Sequence, residues 1–372
     1  MTSEIVTRAR ALVPLLRAEA ARIERGRRLT DEVVSALARA GLFRMAVPRS
    51  VGGPEHTPRE ILEAIEAVSI GDAASGWCVG IGATTSLAAG YLPLEGAREV
   101  FADPMQAACG VFAPTGKGVR EAGGVRVSGR WSFASGCDHS AWRLVGFVQD
   151  DGAMLQALVR ASDTRIVDTW DAAGLRGTGS HDLVLDAVLV PEPFVLSLSS
   201  PARETGALFR FPVFGLLSLA IASVTLGIGR AALDALVPLV QAKKQAGASR
   251  TLAERETVQT GLARAEGSLR AGRALVYSTV DEVFERAREH EPLSLTDRAA
   301  LRLAASQGTE CAIAAVDAVQ RLAGSASVYE AQPFARWHRD AHVATQHLMV
   351  SETTYTMCGR ALLGLPVQEG AL

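Results

Sequence analysis

The sequence predicts an α+β protein in which a small β domain is inserted between two helical parts. Three observations carry that expectation. Residues 1–105 have apolar residues at helical spacing, with start and stop signals between the segments. Near residue 108 the composition turns rich in Gly, Val and Pro, with alternating stretches and turn dipeptides. From 211 to about 364 long helical periodicity returns. At 372 residues the chain exceeds one ordinary core, so two or three domains are expected. The boundaries read as 1–107 (N-terminal helical domain), 108–205 (central small β-barrel domain) and 206–372 (C-terminal four-helix-bundle domain).

In the first part, RAEAARIERGRRLTDEVVSALARAGLFRMAVP has helical spacing, with Thr30 or Asp31 as N-cap, Gly41 as C-cap and Pro48 as a stop. PREILEAIEAVSIGD is a further helix, and ASGWCVGIGATTSLAAGYLP is apolar almost throughout, so it belongs in the interior. In the middle part, VRVSGRWSF and LVLDAVLVP read as strands, and EAGG and QDDG as turns. The last part holds GIGRAALDALVPLVQAKKQA, TLAERETVQTGLARAEGSLRAGRALVYSTVDEVFERAREH and SLTDRAALRLAASQGTECAIAAVDAVQRLAG, whose lengths suit a bundle.

The bulk properties exclude several partners. A net charge of −2 without a basic stripe argues against nucleic acid. Five scattered cysteines form no CxxC pair and suit free thiols in a reducing cytoplasm. The first thirty residues lack the apolar core of a signal peptide. FPVFGLLSLAIASVTLGIG (211–229) carries no charge, but Pro212, three glycines and its Ser/Thr content favour a helix buried in a bundle over a membrane span.

Four stretches, in this helix–sheet–helix order, make the chain resemble the acyl-CoA dehydrogenase superfamily over nearly its whole length. GVFAPTGKG (110–118) is similar to the family loop that meets the flavin pyrimidine ring, which points to Ala113 and Thr115. GRWSFASG resembles the strand ending in an aromatic residue and a Ser/Thr; the resemblance puts Phe133 beside the isoalloxazine and Ser135 at flavin N5. A hydroxyl suits N5, which accepts a hydrogen bond when oxidised and donates one when reduced. DTWDAAGLRGTGSHDLVLDAVLVP (168–191) looks like the family's strand–loop–strand, in the form found in two-component flavin monooxygenases. It implies Trp170 near the flavin, and Arg176, Thr178 and Ser180 at its side chain or phosphate. Read without the resemblance, the same residues make a tight Gly-rich hairpin capped by Asp182. AVQRLAGSASVYEAQPFARWHRDAHVATQH (318–347) is similar to the segment in which Gln320 and Gly324 meet the dinucleotide of an adjacent subunit, followed by the pair Arg339-Asp340 on the last long helix. Ser325 replaces the family's second glycine, so FMN suits the chain as well as FAD.

The resemblance leaves a choice of chemistry. Where many acyl-CoA dehydrogenases carry a catalytic glutamate, this chain has His347, as the monooxygenase branch does, and no acid until Glu352. On a continuous helix Asp340, Val343, Ala344 and His347 share one stripe, while His338 and His342 share another without a carboxylate nearby, so no metal site is expected. The first expectation is therefore a reduced-flavin monooxygenase acting on a small aromatic or amine substrate through a C4a-hydroperoxide. It uses molecular oxygen, FAD or FMN reduced by a separate reductase, and His347 and Ser135 as catalytic groups. Thr84, Thr85 and Ser86 stand where aromatic hydroxylases of this type carry a second histidine. The alternatives are an acyl-CoA dehydrogenase or desaturase with a base such as Glu352, and a non-catalytic subunit of the same fold. A homotetramer in the cytoplasm, away from membranes, completes the expectation.

Overall fold

The computed structural model describes residues 3–244 and 249–367. Six helices come first: α1 Glu4–Ala11, α2 Val13–Gly26, α3 Asp31–Arg39, α4 Pro58–Gly71, α5 Ala73–Ser86 and α6 Leu94–Val100. Seven strands follow: β1 Ala107–Glu121, β2 Gly124–Ala134, β3 Ser140–Gln149, β4 Met154–Arg160, β5 Arg165–Val167, β6 His181–Pro191 and β7 Val195–Leu196. The chain then returns to helix: α7 Ala207–Arg210, α8 Val213–Ala242, α9 Glu256–Arg288, α10 Leu295–Ala323, α11 Phe334–Ala344 and α12 Glu352–Leu362.

Local chemistry explains the helix starts. Thr30 is the N-cap of α3, and Gly41, just past its end, takes φ +80°. At α4, Thr57 and Glu60 form a reciprocal capping box with Pro58 in the first turn. The Asp72 carboxylate caps α5 by accepting from the Ser75 amide at 2.8 Å. α5 is buried on nearly every side, as its apolar composition requires. α8 holds the stretch that has a span's length and apolarity, and 94% of its most apolar window is buried inside the protein. It packs against α4, α5, α9, α10 and α11, which makes it the axis of the helical part.

The strands form one sheet in the order β5-β6-β2-β1-β3-β4-β7. β1 and β3 are parallel, and every other pair is antiparallel. The sheet curls around a core that joins Val127 of β2, Phe147 of β3, Val159 of β4 and Leu185 of β6. Trp131 fills its centre, fully buried, and donates its indole N–H to Gly146 O at 2.6 Å. Gly116 and Gly129 pass so close to this ring that an added Cβ would meet it at 2.2 and 2.9 Å.

One expectation about the β part is corrected. Residues 110–118 are not a loop; they lie within β1, whose register with β3 slips between Val111 and Gly116. The cause is Gly146 on β3, over which the Phe112 and Ala113 carbonyls lie where a Cβ would stand, at 2.3 and 2.7 Å. The result is a bulge inside a strand, so the segment reads as irregular from its letters alone.

Candidate active site

The loop 168–180 joins β5 to β6, with Val167 paired to Asp182. It is longer than the tight hairpin its glycines suggest, and Asp182 does not cap it. That carboxylate instead accepts from Arg130 Nε at 2.6 Å and Thr169 Oγ1 at 3.0 Å, tying β2 to the loop's first residues. Two glycines let the loop wedge between helices. A Cβ on Gly174 would meet Arg339 O at 2.4 Å, and one on Gly177 would meet the Ile23 side chain at 2.1 Å. α11 holds the loop from the far side: Arg339 Nε donates to Ala173 O at 3.0 Å, and Asp340 Oδ1 accepts from the Leu175 amide at 2.6 Å. The Arg-Asp pair thus faces the loop, and Arg339 also pairs with Glu24 of α2. It lies on an eleven-residue helix that α12 follows, not on the last long one.

Ser135, at the end of β2, meets Thr178 and Ser180 from the end of this loop, and all three are buried. Trp77 Nε1 donates to Ser135 Oγ at 2.9 Å; Ser135 and Ser180 hydroxyls are 2.7 Å apart, and Ser180 and Thr178 hydroxyls 2.6 Å apart. Thr178 Oγ1 lies 2.8 Å from Leu175 O. Each hydroxyl has one proton and two acceptor positions. Two proton arrangements follow, of which only the first keeps the Thr178 bond to Leu175 O. In one, protons run inward from Ser135 through Ser180 and Thr178 to Leu175 O, and Ser135 can still accept one hydrogen bond. In the other they run outward, and Ser135 can still donate one.

Phe133 and Trp170 flank Ser135 in sequence and on the loop, with ring centroids 6.2 Å apart and planes at 87°. Phe133 is 71% exposed and has φ +66°, a strained conformation for an aromatic residue. Trp170 is anchored by its own indole N–H, which donates to Leu175 O at 3.0 Å.

His347 reaches the same place by a different route from the helical stripe. α11 ends at Ala344, and His347 is the N-cap of a short 3₁₀ turn, Leu348–Val350. Its Nδ1 accepts from the Met349 amide at 3.2 Å, so the neutral ring carries its proton on Nε2. Arg302, buried on α10, holds the turn by donating to Met349 O at 3.3 Å. The imidazole packs edge-on against Trp77, with centroids 5.7 Å apart. Burial, with Arg302's positive charge, pushes its pKa down to about 4. His139 is likewise pushed to about 4 by burial, against Phe43 in a turn after Gly136, which suits a structural role. Both groups bind fewer protons folded than unfolded between about pH 4 and 6.5. Both therefore withdraw stability as pH falls through that window.

The remaining sequence candidates lie apart from this group. Ala113 and Thr115 are exposed on the bulge of β1, where Thr115 Oγ1 donates to Arg130 O at 3.3 Å. Arg176 turns back into its own loop, donating to Asp171 at 2.9 Å and Ala172 O at 2.8 Å. Gln320 and Gly324 sit at the end of α10, where Gln320 Oε1 is buried with no hydrogen-bond partner among the described residues. A cavity of 760 Å³ between α2, α8 and α11 contains neither Ser135 nor His347. Two residues of the site escaped the sequence reading: Trp77, which bridges Ser135 and His347, and Arg302. A charged residue at a buried phase of α10 was the signal for Arg302. Nothing in the letters marks Trp77.

The Asp340 clamp makes a pH-dependent contribution. Burial raises this carboxyl to about 7, partly offset by the Leu175 amide. The folded state then binds more protons than the unfolded state between about pH 4 and 7, so the contribution is lost as pH rises through 7. Asp340→Asn keeps an acceptor for Leu175 and cannot ionise. Melting temperatures at pH 5.5 and 8.5 should therefore fall less with rising pH in the variant than in the wild type; equal slopes would show that Asp340 does not carry the pH dependence.

The C-terminal domain family of the acyl-CoA dehydrogenases matches residues 219–352. An indole-3-acetate monooxygenase of Pseudomonas putida is 31% identical, covering 96% of this chain and 92% of its own length. The oxygenase component of an FADH2-dependent resorcinol hydroxylase from Rhizobium sp. is 30% identical, over 97% and 94%. The solved structure of XiaF from Streptomyces sp., in complex with FADH2 and glycerol, superposes with a TM-score of 0.91 at 30% identity, over 98% of this chain and 96% of that one. With the helix–sheet–helix fold and this coverage, the chain belongs to the flavin-dependent monooxygenases of the acyl-CoA dehydrogenase fold, enzymes that use flavin reduced by a separate reductase.

Proposed function

We propose that Ser135, Trp77 and His347 form the polar edge of the active site, and that the substrate is a small planar aromatic molecule. The observation that carries this reading is the unbroken series from Leu175 O through Thr178, Ser180, Ser135 and Trp77 to the His347 ring. The residues fit a flavin. Ser135 keeps one hydrogen-bonding capacity that serves as acceptor or donor, matching N5 in its reduced or oxidised form. Phe133 and Trp170 offer aromatic faces beside it. The unpartnered Gln320 Oε1 suits a donor on the far part of a dinucleotide, which favours FAD over FMN. When bound, reduced flavin supplies the electrons that activate molecular oxygen.

The chain's own residues do the rest. The hydroxyl relay orients Ser135. The neutral His347, its Nδ1 engaged by Met349, presents Nε2–H to a substrate oxygen or nitrogen and holds the proton there. Beside Trp77, Ile81 of α5 and Leu217, Ile221 and Val224 of α8 give this edge of the site an apolar wall. On α5, Thr84 and Ser86 bond back to their own helix, and only Thr85 Oγ1 lacks a partner among the described residues. The relatives, an indole-3-acetate monooxygenase and a resorcinol hydroxylase, point to the same substrate class. The dehydrogenase alternative loses its base, since Glu352 is exposed in the first turn of α12.

Assembly and location complete the proposal. Val328 and Tyr329 beyond one end of α10, and Leu348, Leu362 and Leu363 toward its other end, are each 65% or more exposed; large apolar side chains left uncovered favour interfaces, and we read these as contacts of a tetramer. Five unpaired cysteines and the burial of α8 support a cytoplasmic enzyme.

Three measurements test this. His347→Asn keeps an acceptor for the Met349 amide and removes Nε2–H. Product formed per oxygen consumed should fall on the order of 10²-fold, the scale of one lost transition-state donor, with hydrogen peroxide released and melting little changed; lost stability with normal product yield would make His347 a core residue. Ser180→Ala takes away the inward acceptor for the Ser135 proton. The ratio of affinities for reduced over oxidised flavin should drop about tenfold, one hydrogen bond's worth; an unchanged ratio would separate the relay from flavin. Light scattering at micromolar concentration should give the mass of four chains, and a stable monomer would refute the assembly.

A further inference from the structure

Outside the active site, α10 and α11 bring together three side chains that sequence reading kept apart. His338 and His342 are four residues apart on α11 and share a face, with ring centroids 4.4 Å apart. The expectation that this pair has no carboxylate near it is corrected: Asp317 of α10 lies against both. Its Oδ1 is 3.1 Å from His338 Nε2 and 2.8 Å from His342 Nε2. Donor atoms of all three lie within 4.8 Å of one another. The carboxylate comes from a helix more than twenty residues upstream, so only the tertiary packing of α10 on α11 reveals the cluster.

We propose that Asp317, His338 and His342 form a binding site for a divalent transition-metal ion. Two imidazole nitrogens and one carboxylate oxygen suit Zn²⁺, Co²⁺, Ni²⁺ or Cu²⁺, whereas Mg²⁺ and Ca²⁺ prefer all-oxygen shells. In a tetrahedral site with bonds of about 2.0–2.1 Å, ligand atoms stand about 3.3 Å apart. The observed separations are those of N–H···O hydrogen bonds, so an ion enters when each side chain withdraws by a few tenths of an ångström. The three side chains are 37, 43 and 32% exposed, which leaves the remaining coordination positions to water and opens a path for the ion. An exposed ion pair of this kind contributes little to stability by itself, so a bound ion is what would make the cluster hold α11 to α10.

The location gives the site a positioning role. Asp340 lies two residues from each histidine, on the opposite side of α11, where it holds the Leu175 amide. His347 follows three residues after the end of the same helix. An ion stapling α11 to α10 would thus steady the wall behind the active site without touching any reacting atom.

The test uses the untagged, flavin-loaded protein, stripped with a chelator and dialysed. Calorimetric titration with ZnCl₂ should show one ion per chain, and Co²⁺ should develop visible d–d absorption at the same stoichiometry. Asp317→Asn and His342→Ala should each weaken Zn²⁺ binding at least tenfold. Zn²⁺ should raise the melting temperature of the wild type and not that of the variants. Both positions are part-exposed, so the variants without metal should melt like the metal-free wild type, and that comparison is made first. A wild type without stoichiometric binding, or variants that bind as tightly as it does, would overturn the proposal.

Discussion

Backbone groups taken out of water must find partners, and the loop 168–180 is where this requirement presses hardest. The loop is drawn between the sheet, α2 and α11, and its amides and carbonyls are satisfied from three directions. Asp340 accepts from Leu175 N, Arg339 donates to Ala173 O, and Thr178 O accepts from the Gly136 amide at 2.8 Å. Trp170 donates to Leu175 O from within the loop. Gly174 and Gly177 are required because main chain and Ile23 stand where their side chains would be. Helical part and sheet are thus joined through a polar seam, and the active-site hydroxyls are part of that seam.

That origin explains the chemistry available to Ser135. A serine on a free strand end would rotate its proton at will. Here an indole N–H and a second hydroxyl already occupy two of its three hydrogen-bonding capacities. What is left is a single contact whose sign is set three groups away, at Leu175 O. His347 is constrained in the same manner, with one nitrogen committed to Met349 and a pKa pushed too low for it to be charged near neutral pH. Both groups meet on Trp77, which links them without itself exchanging a proton with a reactant.

How much of this could be read from the letters depended on the range of the interaction. The helix–sheet–helix order follows from composition and period, which are local. The motifs put Ser135 and Trp170 at the flavin ring and Thr178 and Ser180 at its side chain or phosphate; the fold instead gathers the three hydroxyls into one buried relay, with Trp170 tied to the same Leu175 carbonyl. Where tertiary packing decides, the letters fell short. The stripe argument carried His347 along a helix that stops at Ala344; the residue arrives through a capped turn instead. Asp317 could not be matched to its histidines because nothing in sequence shows which face of α10 meets α11. The bulge in β1 answers to the missing side chain of Gly146, on another strand. Trp77 looked like one more apolar residue in a buried helix, and its role lies in the direction of one N–H.

α8 presents the chain with a problem of timing. Its window of highest hydropathy is 94% buried only once the bundle is complete. During synthesis from the N-terminus, α4 and α5 are already made and can cover part of its surface, while α10 has not yet been translated. A thirty-residue helix of this composition therefore spends that interval with one side unprotected, sticky toward other nascent chains and attractive to the machinery that inserts membrane proteins. The serines, threonines and glycines spread along it lower that attraction, and Pro238 near its end weakens its helix before the partners arrive. The same residues that let neighbouring helices approach closely in the finished protein also keep the unfinished one from being mistaken for a transmembrane segment.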